Sequence, residues 1–332
     1  MVALAVPPPI RSQRHLVGFD LDPRGGHRAA DRGDAVRRLC WLVVVALVFA
    51  VGAARGSDLT ILYTNDLHAR LGQLESLAAL VGQERQEGKP VLLLDAGDTW
   101  QDFRTPLPVV WGAEETVAWM NEVGYSAMAL GNHDLYFGAE HLASLAAKAS
   151  FPVLCANLIP LGGWKAPFVS WTLVPCGDLR VLVVGLTTGE LLPYADFPWL
   201  RYEEPARALA DALEAAADEP RDLVVAVCHL PVNQARRLAE VVPGVDLFVT
   251  GHSHDETPQP VRVGDVLIVQ ARPFGQALGR LRLDVDQEAR AVRLVDNALL
   301  TADTRPVATT PGLLRLFQVV ILTGLLIFLL LA

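Results

Sequence analysis

Cysteine is scarce in this chain: four residues in 332, none of them in a C-x-x-C pair. That excludes a disulfide framework and removes the usual signature of a thiolate zinc or redox centre. Cys40 falls in an apolar run, Cys155 and Cys228 in strand-like runs and Cys176 near a turn, the pattern of plain buried thiols. An excess of positive charge is missing too. With a net charge of −9, a broad, non-specific grip on nucleic acid is not expected, because that needs a basic surface. The same balance does not exclude an anionic substrate, since metal ions can invert the local field of a site. No internal repeat or low-complexity stretch interrupts the middle of the chain.

What is abundant is apolar surface. Hydrophobic residues make up 52% of the chain and mean hydropathy is +0.31, with the excess gathered at two places. Residues 1–36 are rich in Pro, Gly and Arg without an apolar period and read as a disordered leader. Arg37 and Arg38 then precede an apolar run that closes on Val51-Gly52-Ala53-Ala54. Residues 37–56 therefore read as a secretory signal sequence or N-terminal anchor. A linker at 306–312 carries the breaker Thr309-Thr310-Pro311-Gly312. Residues 313–332 follow as a C-terminal transmembrane segment, long enough for ~30 Å of hydrocarbon. The arginine pair places the N-terminal tip in the cytoplasm by the positive-inside rule. The expectation is an exported domain, residues 57–305, anchored to the cytoplasmic membrane with its catalytic part outside.

Between these ends strands alternate with helices. Strands are expected at 59–64, 91–94, 127–130, 153–156, 181–186, 223–227 and 246–250. Helices are expected at 71–86, 114–122, 139–148, 205–217 and 233–241. Continuous Val/Leu runs, rather than strict alternation, indicate strands covered on both faces. After Gly251 strands at 266–271, 278–285 and 291–295 look more like antiparallel pairs. The fold class is α/β.

Five strands end in residues suited to metal binding: Asp66-Leu67-His68, Asp95-Ala96-Gly97-Asp98, Gly131-Asn132-His133-Asp134, Cys228-His229 and Gly251-His252-Ser253-His254. Loops at the carboxyl ends of strands in such a sheet converge on one crevice. A one-residue spacer in an extended segment points two side chains the same way, so Asp66/His68 and His252/His254 are each expected to grip one ion. Glycines before Asp98, Asn132 and His252 allow sharp turns into the site. Of the eight histidines, His15 and His27 lie in the leader and His141 on a helix; the other five all fall in these motifs. Singly, each motif reads as well as a turn or helix cap; together and in order they point to one site.

The donor set is carboxylate, amide oxygen and imidazole, which suits zinc, manganese, iron or magnesium. Such a set is too large for one tetrahedral ion, so two divalent ions sharing a carboxylate is the economical reading. A pair about 3.5–4 Å apart can hold a phosphate and make hydroxide from a bridging water.

At this point the sequence resembles the calcineurin-like metallophosphoesterases, closest to the catalytic domain of the 5′-nucleotidase and 2′,3′-cyclic phosphodiesterase family. The matching stretches are Ile61-Leu62-Tyr63-Thr64-Asn65-Asp66-Leu67-His68, Leu93-Leu94-Asp95-Ala96-Gly97-Asp98-Thr99-Trp100-Gln101 and Ala129-Leu130-Gly131-Asn132-His133-Asp134. Weaker support comes from Pro152 to Leu158, Gly185-Leu186-Thr187-Thr188 and Gly251-His252-Ser253-His254. The resemblance implies a four-layer αββα sandwich with the ions at the strand ends. It implies that Asp66, His68 and His254 bind one ion, that Asn132, His229 and His252 bind the other, and that Asp98 bridges them. It also implies that His133 is catalytic, facing the phosphate and protonating the leaving oxygen.

Two departures from the family pattern stand out. Tyr136 occupies the place of a second acidic residue that tunes the imidazole, with Asp134 and Asp102 as candidate substitutes. The family's base-clamping C-terminal domain is expected to be missing, with the core aromatics Trp100, Trp111, Trp164 and Trp199 packing rather than replacing it. The expected activity is hydrolysis of a small-molecule phosphate ester, nucleotide or related, by a metal-bridging hydroxide. Two alternatives stand beside it: a phosphatase for lipid-linked or sugar phosphates at the membrane surface, and a catalytically silent tethered binding protein. The complete ligand set argues against silence.

Overall fold

The computed structural model describes residues 56–100, 106–190 and 197–301, without the side chains of 106–111. Contacts divide the chain into Met1–Ala53 and Ala54–Ala332, and the described residues all belong to the second unit. The leader, the 37–56 segment up to its last residue, the linker and the 313–332 segment lie outside them. Among the described residues no helix is long and apolar enough to cross a membrane.

Two six-stranded sheets carry the fold. In the first, β1 (Ser57–Thr64), β2 (Val91–Asp95), β3 (Ala127–Ala129) and β4 (Val153–Leu154) run parallel. The hairpin of β13 (Leu278–Asp286) and β14 (Ala291–Leu300) adds antiparallel to β1, giving the order β14-β13-β1-β2-β3-β4. In the second, β7 (Leu179–Thr187), β9 (Leu223–His229), β10 (Leu247–Thr250) and β12 (Val266–Val269) are parallel. They are flanked by β6 (Trp171–Cys176) and β11 (Val261–Val263), in the order β11-β12-β10-β9-β7-β6. A small pair, β5 (Leu158–Pro160) with β8 (Leu200–Tyr202), stands apart. The helices are α1 (Leu74–Gln86), α2 (Pro106–Val123), α3 (Gly138–Lys148), α4 (Pro205–Ala215) and α5 (Val232–Val241).

Side chains alternate along each strand, and both faces find a partner. Leu59, Ile61 and Tyr63 of β1 and Leu92 and Leu94 of β2 meet Val181, Val183, Val225, Val227 and Val249 between the sheets. The intervening Leu62 and Leu93 turn outward onto Leu77, Val81, Val117, Met120, Leu142 and Leu145 of α1, α2 and α3. On the other side Leu182, Val184, Val224, Ala226 and Phe248 pack on Leu209, Ala212, Ala235 and Leu238 of α4 and α5. Three cores make four layers, the expected αββα sandwich. Each fully buried Leu or Val contributes roughly 1.5–3 kcal/mol, so this double-sided burial fixes the strand register that aims the loops.

Two expectations need correction, and one strand was not expected. The second helix begins at Pro106 rather than 114, because prolines are tolerated in a first turn whose N–H groups have no helical partner. β12 is not simply antiparallel: it runs parallel to β10 and pairs antiparallel only with the three-residue edge strand β11. β6 escaped notice because it carries Pro175, which its edge position accommodates. Cys155, Cys176 and Cys228 are free and buried, as expected.

Candidate metal centre

The loops after β1, β2 and β3 of one sheet meet the last residue of β9 and the loop after β10 of the other. Asp66, His68, Asp98, His252 and His254 do not use extended backbone here. Their φ angles are 52, 50, 53, 71 and 57°, in the left-handed region that costs non-glycine residues about 1–2 kcal/mol each. Cross-loop hydrogen bonds hold that strain. The N–H groups of Asp66, His68 and Ala69 donate to the carbonyls of Gly97, Asp98 and Thr99, each at 2.9 Å. Phe274, itself at φ 61°, donates its N–H to the Asp66 carbonyl at 2.7 Å. Strained backbone over-determined by its surroundings is a mark of functional sites.

The loops approach too closely for side chains at two points. Gly97 has φ +89°, and a Cβ there would lie 2.6 Å from the Gly131 nitrogen. A Cβ on Gly131 would lie 2.7 Å from Cγ of Asp98, and its N and Oδ1 are nearer still.

Donor atoms gather in three overlapping clusters: Asp66/His68/His254, His68/Asp98/His133 and Asp98/His229/His252, with the atoms of each within 4.8 Å of one another. Asp98 belongs to two of them. Its Oδ2 lies 3.0 Å from His229 Nε2 and 3.9 Å from His68 Nε2. Asp66 Oδ1 is 3.3 Å from His254 Nε2, and the Nε2 atoms of His68 and His254 are 3.2 Å apart. His252 and His254 therefore part company, His252 toward Asp98 and His229 and His254 toward Asp66 and His68. The one-residue spacing does not bring them into one cluster, and left-handed turns stand where that expectation assumed an extended segment.

Buried polar atoms test whether ions fit. Asn132 Oδ1 is buried without a hydrogen-bond partner, a costly arrangement in an apolar fold unless something binds it, and the buried His229 Nε2 faces Asp98 Oδ2 at 3.0 Å. His229 Nδ1 lies 2.8 Å from the Ala96 carbonyl, so Nδ1 carries the proton and Nε2 points at Asp98. A ligating histidine is commonly oriented in this way. Carboxylate, amide oxygen and imidazole without thiolate suit hard or borderline divalent ions. The residues fit two of them.

Electrostatics agree. Burial alone would raise Asp98, but His229, then His133 and His68, outweigh it and hold the carboxyl below its usual range. Burial would lower His229, yet the Asp98 and Asp66 carboxylates push it up to about 10. Asp66 is likewise held low, its burial offset by His254, His229 and the Asn65 amide. His252 is lowered by burial and by His229. The two buried carboxylates thus require positive charge close by, which divalent cations would supply.

His133 sits at the rim, 15% exposed against 1% for His68. Its Nε2 is 3.8 Å from Asp98 Oδ2 and its N–H donates to Asp98 Oδ1 at 2.7 Å. Of the two candidate substitutes for an acidic partner, Asp102 lies outside the described residues. Asp134 spends both oxygens on backbone N–H groups, those of Asp98 and Gly131 at 2.9 Å, Trp100 at 3.0 Å and Thr99 at 3.2 Å. Tyr136 is 57% exposed, its ring edge-on to Phe137.

Several residues that shape the centre were not expected. Asp95 accepts from Gly97 N–H and from the Thr64 and Thr99 hydroxyls, and burial raises it to about 7 despite them. Glu190 lies 3.5 Å from His252 Nε2, and the Phe274 ring packs on His68 and His254. Asp95 stood inside a recognised motif; Glu190 and Phe274 carried no sequence signal. Trp100 is fully buried, and Trp164 packs edge-on against Trp199 with ring centroids 4.6 Å apart, so these aromatics pack. The Trp111 side chain lies outside the described part of the chain.

Comparison with known proteins follows the same lines. The family model for calcineurin-like phosphoesterase matches residues 59–256. The 5′-nucleotidase of Bos taurus is 31% identical over 296 residues, 76% of this chain and 51% of its own length. The 5′-nucleotidase of Homo sapiens is 31% identical over 307 residues, 78% of this chain and 53% of its own. Among solved structures, a 5′-nucleotidase precursor from Thermus thermophilus superposes with a TM-score of 0.63 at 27% identity, covering 74% of this chain and 55% of that one. The chain thus spans about half the length of these relatives.

Proposed function

This chain belongs to the calcineurin-like phosphoesterase family, and from that premise we propose that it hydrolyses phosphate esters with two divalent metal ions, nucleotides being the leading substrate class. The observation that carries the reading is the sharing of Asp98 between clusters reached from both sheets. Beside it stand the orphaned Asn132 Oδ1 and the His229 Nε2 that faces Asp98 Oδ2 at 3.0 Å. Asp66, His68 and His254 would hold one ion, Asn132, His229 and His252 the other, and Asp98 both. Two bound ions would polarise phosphoryl oxygens and bring the pKa of a water near neutrality.

The protein's own groups do the rest. Asp98 Oδ1 fixes the His133 backbone, which sets its ring beside the crevice. From there His133 would hold a proton at Nε2 and pass it to the leaving oxygen as general acid. His252 N–H donates to both Asp66 oxygens, at 3.2 and 3.1 Å, and Asn65 Nδ2 donates to Oδ2 at 2.7 Å. These bonds orient Asp66 before any substrate arrives. The nucleotide preference rests on the relatives' names and on the match of strand-end motifs. Export to the outer side of the cytoplasmic membrane is supported by the arginine pair ahead of the first apolar run. Protease added to intact spheroplasts should then degrade the domain; full protection would refute that placement.

The deciding experiment assays the full chain with manganese, zinc or magnesium on nucleotides, cyclic nucleotides, sugar phosphates and lipid phosphates, beside Asp98→Asn. Two ions per wild-type chain are expected, with most metal and nearly all hydrolysis lost in the variant. Unchanged metal content and turnover in Asp98→Asn would sink the two-metal reading. Two ions without hydrolysis of any ester would favour the silent binding protein.

A further inference from the structure

Two metal-bearing loops of the first sheet are joined by a side chain that has no place in the ligand set. Asp134 is 1% exposed and stands on the single turn His133–Leu135 that follows β3. Its Oδ2 accepts from Gly131 N–H, three residues back in its own loop, and from Asp98 N–H across the crevice. Its Oδ1 accepts from Thr99 and Trp100 N–H, again across the crevice. A local turn contact would explain the first of these; it does not explain three donors from the loop after β2. Asp98 answers from the other side, its Oδ1 accepting His133 N–H at 2.7 Å. The two carboxylates therefore clasp each other's loop, and the bare Gly131 lets the backbones touch.

We propose that Asp134 is a positioning residue of the two-ion site, stapling the Asp98 loop to the Asn132–His133 loop so that the shared carboxylate, the amide ligand and the acid stand at one spacing. The inference rests on the two-ion reading given under Proposed function. Asp134 reaches neither ion in this account; it acts through the backbone of Asp98. Hydrogen bonds to a carboxylate are about twice as strong as neutral ones, and four converging on one buried group make a rigid joint. Its loss leaves every ligand present while freeing the two loops to drift apart. The consequence is specific: ions still bind singly, but the pair is no longer held at bridging distance.

The test uses full-length wild type, Asp134→Asn, Asp134→Glu and Asp246→Asn, stripped by chelator and titrated with Mn(II). Asparagine keeps the size and one acceptor oxygen but turns an NH2 toward two donors. Glutamate keeps the charge and displaces it by one methylene. Asp246 accepts Val224 N–H at 2.8 Å at the opposite end of the strands, so its variant reports the loss of a half-buried, backbone-bonded carboxylate away from the site. Readouts are bound Mn(II) per chain, the exchange-coupled Mn(II)-pair signal by electron paramagnetic resonance, Tm, and kcat and KM on p-nitrophenyl phosphate. All variants are expected to melt earlier, but only those at Asp134 should lose the coupled signal at saturating Mn(II). Their kcat should fall at least tenfold with KM within about threefold. A folded Asp134 variant that keeps the coupled pair and kcat within threefold of wild type overturns the proposal. So does failure of both Asp134 variants to fold, which would make the residue a folding element. A wild type that binds no coupled pair refutes the two-ion reading itself, a result distinguishable from either.

Discussion

Gly131→Ala is the perturbation whose size the structure sets most directly. The new methyl would stand 2.7 Å from Cγ of Asp98, with two further Asp98 atoms nearer. Ordinary carbon contacts begin near 3.5 Å, so the loops must separate by roughly 1 Å. Neither side can yield alone, since the obstacle is backbone and a carboxylate already bonded to His133 N–H. Overpacking of this kind costs about 1–3 kcal/mol. Stretching one hydrogen bond to a charged group past use adds about 1.5–3 kcal/mol. A total of ~3–6 kcal/mol corresponds to a Tm drop on the order of 10–15 °C for a domain of this size. A 1 Å misplacement of the shared carboxylate should also lower kcat by about 10²-fold. Thermal denaturation and initial rates on the same preparation measure both. Gly82→Ala serves as control: it lies in α1 with nothing within 4 Å of the added carbon, and should stabilise by ~0.5–1 kcal/mol. If Gly131→Ala melts within about 2 °C of wild type and turns over at the full rate, the close-approach argument is wrong.

Three further outcomes are expected. His133→Asn should keep normal metal content while kcat falls by ~10²–10⁴; unchanged turnover, measured beside elemental analysis, would remove the imidazole from the chemistry. Asp95 binds its proton more tightly folded, at about 7, than unfolded. Its contribution is thus fully present below pH ~4 and lost as pH rises through 7, so the Tm of Asp95→Asn relative to wild type should improve from pH 5 to pH 8. Burial raises Cys155 to about 12 and Cys176 to about 11, leaving only about 0.1% or less as thiolate at pH 8. Ellman's reagent should therefore reach Cys155, Cys176 and Cys228 only after denaturant is added, and fast labelling of any of these three in a native Cys40→Ser protein would contradict their burial.

The candidate ligands could be read from sequence because each closes an apolar run long enough to be a doubly covered strand, and chain order then fixes which strand ends meet. The backbone that delivers them could not. Left-handed φ at Asp66 and His68 depends on carbonyls and N–H groups of loops some 30 to 200 residues away, which no local pattern carries. The parting of His252 from His254 has the same origin. Asp134 was legible as a residue of the motif, and its reach toward the loop after β2 was not. The parallel placement of β12 is likewise a tertiary result, set by its burial beside β10 with Leu267 and Val269 in the inter-sheet core. A four-residue run gives no direction of its own.

The place of β13 has a consequence for how the molecule comes into being. β1 is the first strand of the described chain, yet one of its two edges is covered only by residues 278–286. A chain emerging from the ribosome must therefore carry β1 with a row of unpaired N–H and C=O groups until almost the whole domain exists. Pairing over such sequence separation is slow to form, and an open strand edge is a template for a neighbouring chain. The same late segment brings Ala271 N–H to Asn65 Oδ1 and Phe274 N–H to Asp66. Closing the sheet and locking the first ligand thus both wait for the last part of the described chain, and a chain broken off before Ala271 would fail at both.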